Sequence, residues 1–241
     1  MRADVALLPT TEVPGTVVIF DVLRMTTTAS ALLAAGLERL TVVAEVETAR
    51  AVAAASGALL LGERHGVALP GFDGGNSPLH APSLAERGRE AVVCTTNGSR
   101  AVEAAASAER LLLGAIVNAD AVAAALLSQP TDEVLLMCAG TEGRVSLDDA
   151  LGAACVLRAL QRRGRELSLS DAAAMSLLLL DASDDVAKTL AGASHARFLC
   201  GIGFERDVSY AARLDLLDVV PTRRQVSPAR FEPWREGVTR S

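Results

Sequence analysis

The chain has 241 residues, of which half are apolar and only 3% are aromatic, and its net charge is −6. Proteins that bind nucleic acid are usually basic, so this acidic balance argues against a nucleic-acid partner. No apolar run reaches the roughly 18–20 residues of a membrane span, and the N-terminal segment lacks the core of a signal peptide. We therefore expect a cytoplasmic protein with no membrane partner. Its composition leaves a homo-oligomer open.

Apolar runs of strand length alternate with alanine-rich helical stretches along much of the chain. In chain order, the predicted strands are TVVIF (residues 16–20), LTVVAE (40–45), ALLLG (58–62), AVVCTT (91–96), RLLLGAIVN (110–118) and EVLLMCAG (133–140). These runs are continuously apolar, which indicates a sheet that is covered on both faces. Their alternation with helices predicts an α/β/α sandwich, with a mainly parallel or mixed sheet covered by helices on both faces.

The C-terminal part of the sequence follows a different pattern. Residues 166–215 read as consecutive helices, and LLDVVP (residues 216–221) is predicted to be an edge strand. We predict one α/β domain over residues 1–222 and a polar, loosely packed extension over residues 223–241. Because sites in open α/β sheets lie at the carboxyl ends of the strands, polar residues that follow predicted strands are the candidate site residues.

The stretch DVLRMTTT (residues 21–28) follows the first of these strands. A carboxylate at Asp21 can coordinate a cation or attack phosphorus, and Arg24 can bind an oxyanion in bidentate fashion. Alternatively, Asp21 or Thr26 only caps the helix and Arg24 is a surface charge. The phosphatase signature D-x-D-x-T is not matched, because Leu23 stands where the second aspartate would be.

The loop GERHGVALPGFDGGNSP (residues 62–78) is long for a connection between two elements. Glu63, Asp73 and Asn76 are oxygen ligands of the kind that Mg²⁺ prefers, and Arg64 can bind an anion. The alternative is a solvent-exposed loop in which these turn-forming residues have no further role.

The stretch CTTNGSR (residues 94–100) leads from a strand into a helix. Its hydroxyl and backbone N–H groups over residues 95–99 would form an anion-binding turn. It also has the C-x₅-R spacing of cysteine-dependent phosphatases, in which Cys94 would be the nucleophile and Arg100 would bind the phosphate. Against that alternative, a cysteine at the end of an apolar strand is usually a buried thiol.

Two acidic residues lie at predicted helix starts. Asp149 follows Asp148 in SLDDALGAA, and Asp207 follows Arg206 in GFERDVSYAA. Carboxylates in the first turn of a helix are favourable as caps alone, so their positions do not by themselves indicate a site.

Taken together, these stretches resemble the 2-phosphosulfolactate phosphatase family of Mg²⁺-dependent acid phosphatases, which is linked to coenzyme M biosynthesis. The resemblance rests on IFDVLRMTTT, LGERHG, GFDGGNSP, CTTNGSRAVEAA, GAIVNADAVA, CAGTEGRVSLDDALGAA and GIGFERDVSYAA, in family order. It implies an α/β sandwich that hydrolyses a small anionic phosphoester, 2-phosphosulfolactate, to sulfolactate and phosphate. Met25, Cys94 and Ser99 depart from the usual family motifs, and Met25 is expected to narrow the pocket.

The resemblance also implies roles for individual residues. Asp21, Arg24 and Glu63 are the predicted catalytic residues. The predicted metal ligands are Asp21, Glu63, Asp73, Asp149 and Asp207, with Mg²⁺ as the cofactor. The predicted substrate-binding residues are Asn76, Thr96, Asn97 and Gly98, to which their own chemistry and position add Arg64, Ser99 and Arg206. The attacking group is expected to be either the Asp21 carboxylate or a metal-activated water molecule. The alternatives are a metal-independent phosphatase using Cys94 and Arg100, and a non-catalytic anion-binding protein.

Overall fold

The computed structural model describes residues 1–129 and 131–235. Over these residues, eleven strands form a single mixed sheet that is mostly parallel, and ten α-helices surround it. The predicted α/β fold class is therefore confirmed. No helix within the described part of the chain combines the length and the apolar character needed to cross a bilayer.

The strands are β1 (Arg2–Ala6), β2 (Thr16–Phe20), β3 (Arg39–Val43), β4 (Leu59–Arg64), β5 (Val67–Ala68), β6 (Glu90–Cys94), β7 (Arg110–Gly114), β8 (Glu133–Cys138), β9 (Ser168–Leu169), β10 (Val219–Gln225) and β11 (Ala229–Arg235). Their order across the sheet is β5-β4-β6-β3-β11-β10-β7-β2-β8-β1-β9. Strands β4, β6 and β3 form one parallel group, and β7, β2, β8, β1 and β9 form a second. The antiparallel pair β10–β11 lies between the two groups.

The helices are α1 (Met25–Ala34), α2 (Val46–Ser56), α3 (Ala81–Arg87), α4 (Gly98–Ala104), α5 (Ala119–Ser128), α6 (Leu147–Arg162), α7 (Asp171–Asp181), α8 (Val186–Ala191), α9 (Ser194–Gly201) and α10 (Glu205–Ala211). They cover both faces of the sheet, as alternate residues of β2 show. Val17 and Ile19 pack in the apolar cluster that includes α1, α3 and α4. Val18 and Phe20 pack in the cluster that includes α5 to α10. The strands lie between two layers of helix, so the continuously apolar runs correctly predicted a sheet that is covered on both faces.

The C-terminal strands correct one prediction. Residues 216–221 were expected to form an edge strand and residues 223–241 a loosely packed extension. Instead, β10 and β11 occupy the middle of the sheet, where β10 pairs with β7 and β11 pairs with β3. The side chain of Phe231 is fully buried. Residues 223–235 thus complete the sheet, and residues 236–241 lie outside the described residues.

Candidate active site

A pocket of about 570 Å³ lies at the carboxyl edge of the sheet. One wall comes from the residues that follow β2, β4, β6 and β8, and the other comes from the first residues of α9. The predicted site residues that line it are Asp21, Arg24, Glu63, Arg64, Asn76, Thr96 and Asn97. Residues far apart in sequence therefore meet where parallel strands were expected to place them.

Asp21 is the buried carboxylate of this pocket. It directly follows β2, and its Oδ1 accepts a hydrogen bond of 3.2 Å from the amide of Met25 at the start of α1. Burial raises the pKa of Asp21 to about 7; hydrogen bonds from the amides of Met25 and Gly98 oppose the rise, whereas the charges of Asp148 and Glu63 add to it. A carboxylate in this setting is stabilised by a cation or by a proton.

Glu63 and Arg64 are the last two residues of β4, just before the turn to β5. Glu63 Oε2 accepts a hydrogen bond of 2.8 Å from the amide of Gly66, which fixes the carboxylate beside the pocket. Arg64 donates to the carbonyl oxygens of Glu63 and Ala44 at 2.8 and 3.0 Å. Gly66 has a φ of 78°, which favours glycine, and an added Cβ there would lie 3.4 Å from the side chain of Leu199 in α9. A glycine is therefore needed for this turn to approach α9.

Arg24 is buried, and its guanidinium group has defined partners. Nη1 donates to Asp207 Oδ2 at 2.5 Å, and Nη2 donates to the carbonyl oxygen of Gly66 at 2.6 Å. The guanidinium carbon lies 4.1 Å from the centre of the Phe204 ring. The other oxygen of Asp207 accepts a hydrogen bond of 2.7 Å from Ser77. Arg24 therefore belongs to the pocket wall, and it is not a surface charge.

Asn76 is 4% exposed and lines the pocket. Its side-chain Oδ1 is buried and has no hydrogen-bond partner among the described residues. Its backbone oxygen accepts a hydrogen bond of 3.1 Å from the hydroxyl of Thr28 in α1. A buried amide oxygen that lacks a donor is costly to leave unsatisfied, so this position favours a bound cation or hydrogen-bond donor.

Some residues between β6 and the start of α4 line the pocket, and others are buried. Thr96 and Asn97 line the pocket, and Asn97 Oδ1 accepts a hydrogen bond of 3.3 Å from the amide of Glu142. Ser99 is buried, and its hydroxyl donates to the carbonyl oxygen of Thr95 at 2.5 Å. Gly98 lies against Asp21, since an added Cβ would be 2.6 Å from Asp21 Oδ2. Ser99 and Gly98 thus shape the turn, and Thr96 and Asn97 face the pocket.

Asp149 connects two strand ends. Its Oδ1 accepts from the amide of Val22 at 2.8 Å, and its Oδ2 accepts from the amide of Gly140 at 2.9 Å. Burial raises the pKa of Asp149 well above its usual value, and the charges of Asp148 and Asp21 raise it further. Both carboxylate oxygens are engaged by backbone, and Asp149 is not among the residues that line the pocket.

The remaining predicted residues lie away from the pocket. Asp73 forms a partly exposed ion pair of 2.5 Å with Arg87, and its other oxygen accepts from the amide of Leu60. Arg206 is exposed and does not line the pocket. Met25 is fully buried in the apolar cluster that includes α1, α3 and α4, so it does not narrow the pocket as expected.

The cysteine alternative finds no support in the geometry. Cys94 is buried at the end of β6, and its thiol donates to the carbonyl oxygen of Ala44 at 3.3 Å. Burial raises the pKa of Cys94, although a hydrogen bond from Arg64 opposes the rise. Arg100 is exposed on α4. A nucleophilic thiol needs a lowered pKa and access to substrate, and Cys94 has neither.

Sequence reasoning missed the wall that α9 contributes. His195 and Phe198 line the pocket, and their rings stack with centroids 5.8 Å apart. Their spacing of three residues places both side chains on the same face of a helix. That spacing was a usable signal, but nothing in the sequence indicated that α9 would reach the strand ends.

The residues present fit a magnesium ion with few protein ligands. Within the described ranges, no group of three or more His, Cys, Asp or Glu side chains is arranged to hold a metal. However, the carboxylates of Asp21 and Glu63 are close enough to raise the pKa of Asp21, and Asn76 Oδ1 lacks a partner. Mg²⁺ is commonly bound through one or two carboxylates together with substrate phosphate and water. Asp21, Glu63 and Asn76 suit that mode of binding.

The fold and this pocket define an α/β protein with a polar pocket at its strand ends. The model of the 2-phosphosulpholactate phosphatase family matches residues 3–225. Three relatives share the name "probable 2-phosphosulfolactate phosphatase". The protein of Carboxydothermus hydrogenoformans is 43% identical over 85% of this chain and 84% of its own. The protein of Deinococcus radiodurans is 39% identical over 92% of this chain and 93% of its own. The protein of Thermus thermophilus is 37% identical over 93% of this chain and 95% of its own.

The chain therefore belongs to the 2-phosphosulfolactate phosphatase family, and the name that its relatives carry denotes a phosphoric monoester hydrolase. The predicted family resemblance is confirmed.

Proposed function

We propose that this protein is a Mg²⁺-dependent phosphomonoester hydrolase that converts 2-phosphosulfolactate and water to sulfolactate and phosphate. The observation that carries the proposal is the buried Asp21 carboxylate, which lies beside Glu63 in the pocket at the strand ends. Family membership supports the substrate, since the similar proteins are named for it.

The side chains around the pocket divide into two sets. Asp21 and Glu63, with Asn76 Oδ1, are the groups that would hold Mg²⁺. The ion would neutralise phosphate charge and polarise phosphorus. Thr96, Asn97 and the guanidinium group of Arg24 would hold phosphoryl oxygens as their charge shifts in the transition state. Arg64, rather than Arg206, lies where it could meet the other anionic groups of the substrate.

The attacking group in this proposal is either the Asp21 carboxylate or a water molecule. Acid quenching during turnover, followed by mass analysis of peptides, separates the two routes. Only attack by Asp21 leaves a phosphoryl group on the peptide that contains this residue.

The proposal is tested with purified protein, 2-phosphosulfolactate and a chelator. We expect phosphate release that the chelator abolishes and added Mg²⁺ restores. Asp21→Asn should lower kcat by at least about 100-fold, because it removes a charge that acts in the transition state. Cys94→Ser should retain activity, since the thiol is buried and hydrogen-bonded to Ala44.

The alternatives predict different results in the same assay. Turnover that survives the chelator and is lost in Cys94→Ser would support the cysteine-dependent mechanism instead. Measurable binding of the phosphoester without any turnover would support a non-catalytic anion-binding protein.

A further inference from the structure

The environment of Arg24 suggests a role for a residue outside the pocket. An arginine side chain carries five N–H donors in a fixed plane. Two are engaged, by Asp207 and by the carbonyl oxygen of Gly66. Arg24 is only 4% exposed but lines the pocket, so its remaining donors are available to a ligand there.

Asp207 has no free oxygen to offer a metal. Oδ2 accepts from Arg24 at 2.5 Å, and Oδ1 accepts from the hydroxyl of Ser77 at 2.7 Å. The carboxylate is 2% exposed, and it is not among the residues that line the pocket. Phe204, one turn earlier at the start of α10, lies against the same guanidinium group. The start of α10 therefore contacts the guanidinium group of Arg24 twice. Asp207 accepts a hydrogen bond at the edge of its plane, and the ring of Phe204 lies against its face.

The contacts of Asp207 reach three segments that contribute to the pocket. Through Arg24 it is linked to the turn after β2, and Arg24 in turn contacts Gly66, whose amide fixes Glu63. Through Ser77 it is linked to the loop that presents Asn76. A displacement of Asp207 would therefore disturb three groups that line the pocket, namely Arg24, Glu63 and Asn76.

We propose that Asp207 is a positioning residue, which acts through Arg24 and Ser77 and does not bind the metal. It fixes the guanidinium plane so that the free N–H groups of Arg24 point at the phosphoryl oxygens. The proposal rests on the function proposed above. Its physical basis is that small errors in the orientation of a charged donor greatly reduce its value in a transition state.

The first test is chemical rescue of Arg24→Ala with millimolar guanidinium chloride. We expect the variant to lose on the order of 100-fold in kcat. Guanidinium should restore at least about tenfold, because Asp207 and Gly66 still form a site for the free ion. In Arg24→Ala/Asp207→Ala, which leaves neither charge unpaired, we expect less than about twofold rescue. Equal rescue in both variants would overturn the proposal.

The second test separates positioning from metal binding by calorimetric titration of Mg²⁺. We expect Asp207→Asn to keep its Mg²⁺ affinity within about threefold while kcat falls by about 10- to 100-fold. Glu63→Gln should weaken Mg²⁺ binding by at least about tenfold. Glu205→Gln is the matched control, because this exposed carboxylate is on the same helix turn. A large loss of Mg²⁺ affinity in Asp207→Asn would show that Asp207 is a metal ligand and would contradict the proposal.

Two further measurements test the proposal if Asp207→Asn does not fold or the wild type is inactive. Ser77→Ala removes the hydrogen bond to Asp207 and leaves the ion pair with Arg24 intact. It should lower kcat without changing Mg²⁺ affinity, and an unchanged kcat would count against the proposal. Stabilisation of Arg24→Ala by guanidinium in a thermal melt needs no turnover. Its loss in the double variant therefore tests Asp207 even if the wild-type protein fails to hydrolyse 2-phosphosulfolactate.

Discussion

At the scale of single residues, three buried aspartates near the site differ in the partners that their carboxylates have. Asp21 faces the pocket without a cationic partner, Asp149 is hydrogen-bonded to two backbone amides, and Asp207 is paired with Arg24. A buried carboxylate whose charge is not compensated is destabilising in the free protein. Such a cost is typical of functional groups that await a ligand.

The cost at Asp21 predicts a dependence of stability on pH in the metal-free protein. The pKa of Asp21 rises from 3.8 when unfolded to about 7 when folded. The folded state then retains a proton that the unfolded state releases, so stability falls as the pH increases from about 4 to about 7. In Asp21→Asn that part of the pH dependence should disappear. Between these pH values, the difference in the free energy of unfolding between variant and wild type should change by up to about 4 kcal/mol.

Urea unfolding of both proteins in a chelator, at several pH values, measures this difference. A constant difference across the pH range would contradict the prediction. Added Mg²⁺ should stabilise the wild type at neutral pH more than the variant, because a ligand that binds only the folded state shifts the equilibrium towards it.

The residues that could be predicted from sequence are those at or just after the carboxyl ends of strands. Asp21, Glu63, Thr96 and Asn97 were predicted to be at the site because parallel strands end at one edge. The ion pair between Asp207 and Arg24 could not be predicted, since the two residues are 183 positions apart in the chain. A first-turn carboxylate that caps a helix and one that pairs with an arginine have the same sequence pattern.

At the scale of elements, the start of α4 is fitted to the turn after β2. An added Cβ at Gly98 would lie 2.4 Å from Met25 Cε and 2.6 Å from Asp21 Oδ2. Those distances are too short for any side chain, so the helix can approach Asp21 only with glycine at this position. Asp21 is thereby contacted by the first residue of α4 as well as by the amide of Met25.

Gly98→Ala should therefore disturb the site through the position of Asp21. We expect kcat to fall on the order of 100-fold, because small displacements of a catalytic group are costly. We expect the free energy of unfolding to fall by about 1–3 kcal/mol from overpacking. Gly201→Ala, at the end of α9, is the control, since an added Cβ there meets nothing within 4 Å. Steady-state kinetics and urea unfolding check both values, and unchanged kcat in Gly98→Ala would refute the argument.

The sequence predicted a strand at residues 216–221, which overlaps β10, but it predicted neither the central position of β10 nor the strand β11. Each of these strands contains a proline, Pro221 or Pro233, and a proline within a run argues against a central strand. In the structure these two prolines face each other across the hairpin. The pairing of β10 with β7 is recorded only at Thr222, and that of β11 with β3 covers Ala229–Phe231. The missing N–H groups therefore fall outside the ladders to the neighbouring strands.

At the scale of the whole molecule, the hairpin joins the two parallel groups of strands. Without it, β3 and β7 would each have an unpaired edge in the middle of the sheet. The fully buried side chain of Phe231 packs in the same apolar cluster as residues of α1, β3 and β7. The two groups thus depend on the last described residues of the chain for their attachment.

Phe231→Ala is expected to lower the free energy of unfolding by about 3–5 kcal/mol, because it leaves a large cavity in the core. Val226→Ala is the matched control in the same hairpin, since Val226 is 54% exposed in the turn. It should change stability by less than about 0.5 kcal/mol. Urea denaturation monitored by circular dichroism compares the two, and equal stabilities would show that the hairpin is not part of the core.

The central position of the hairpin also bears on how the protein is made. A ribosome releases the N-terminal segments first, so every strand of both parallel groups is synthesised before β10 and β11 emerge. Until then β3 and β7 expose backbone groups that can pair with strands of other chains. The central sheet can therefore be completed only after β11 has been synthesised. A chain that stopped before β10 would contain both parallel groups of strands without the hairpin that joins them, and their exposed edges would be prone to aggregate.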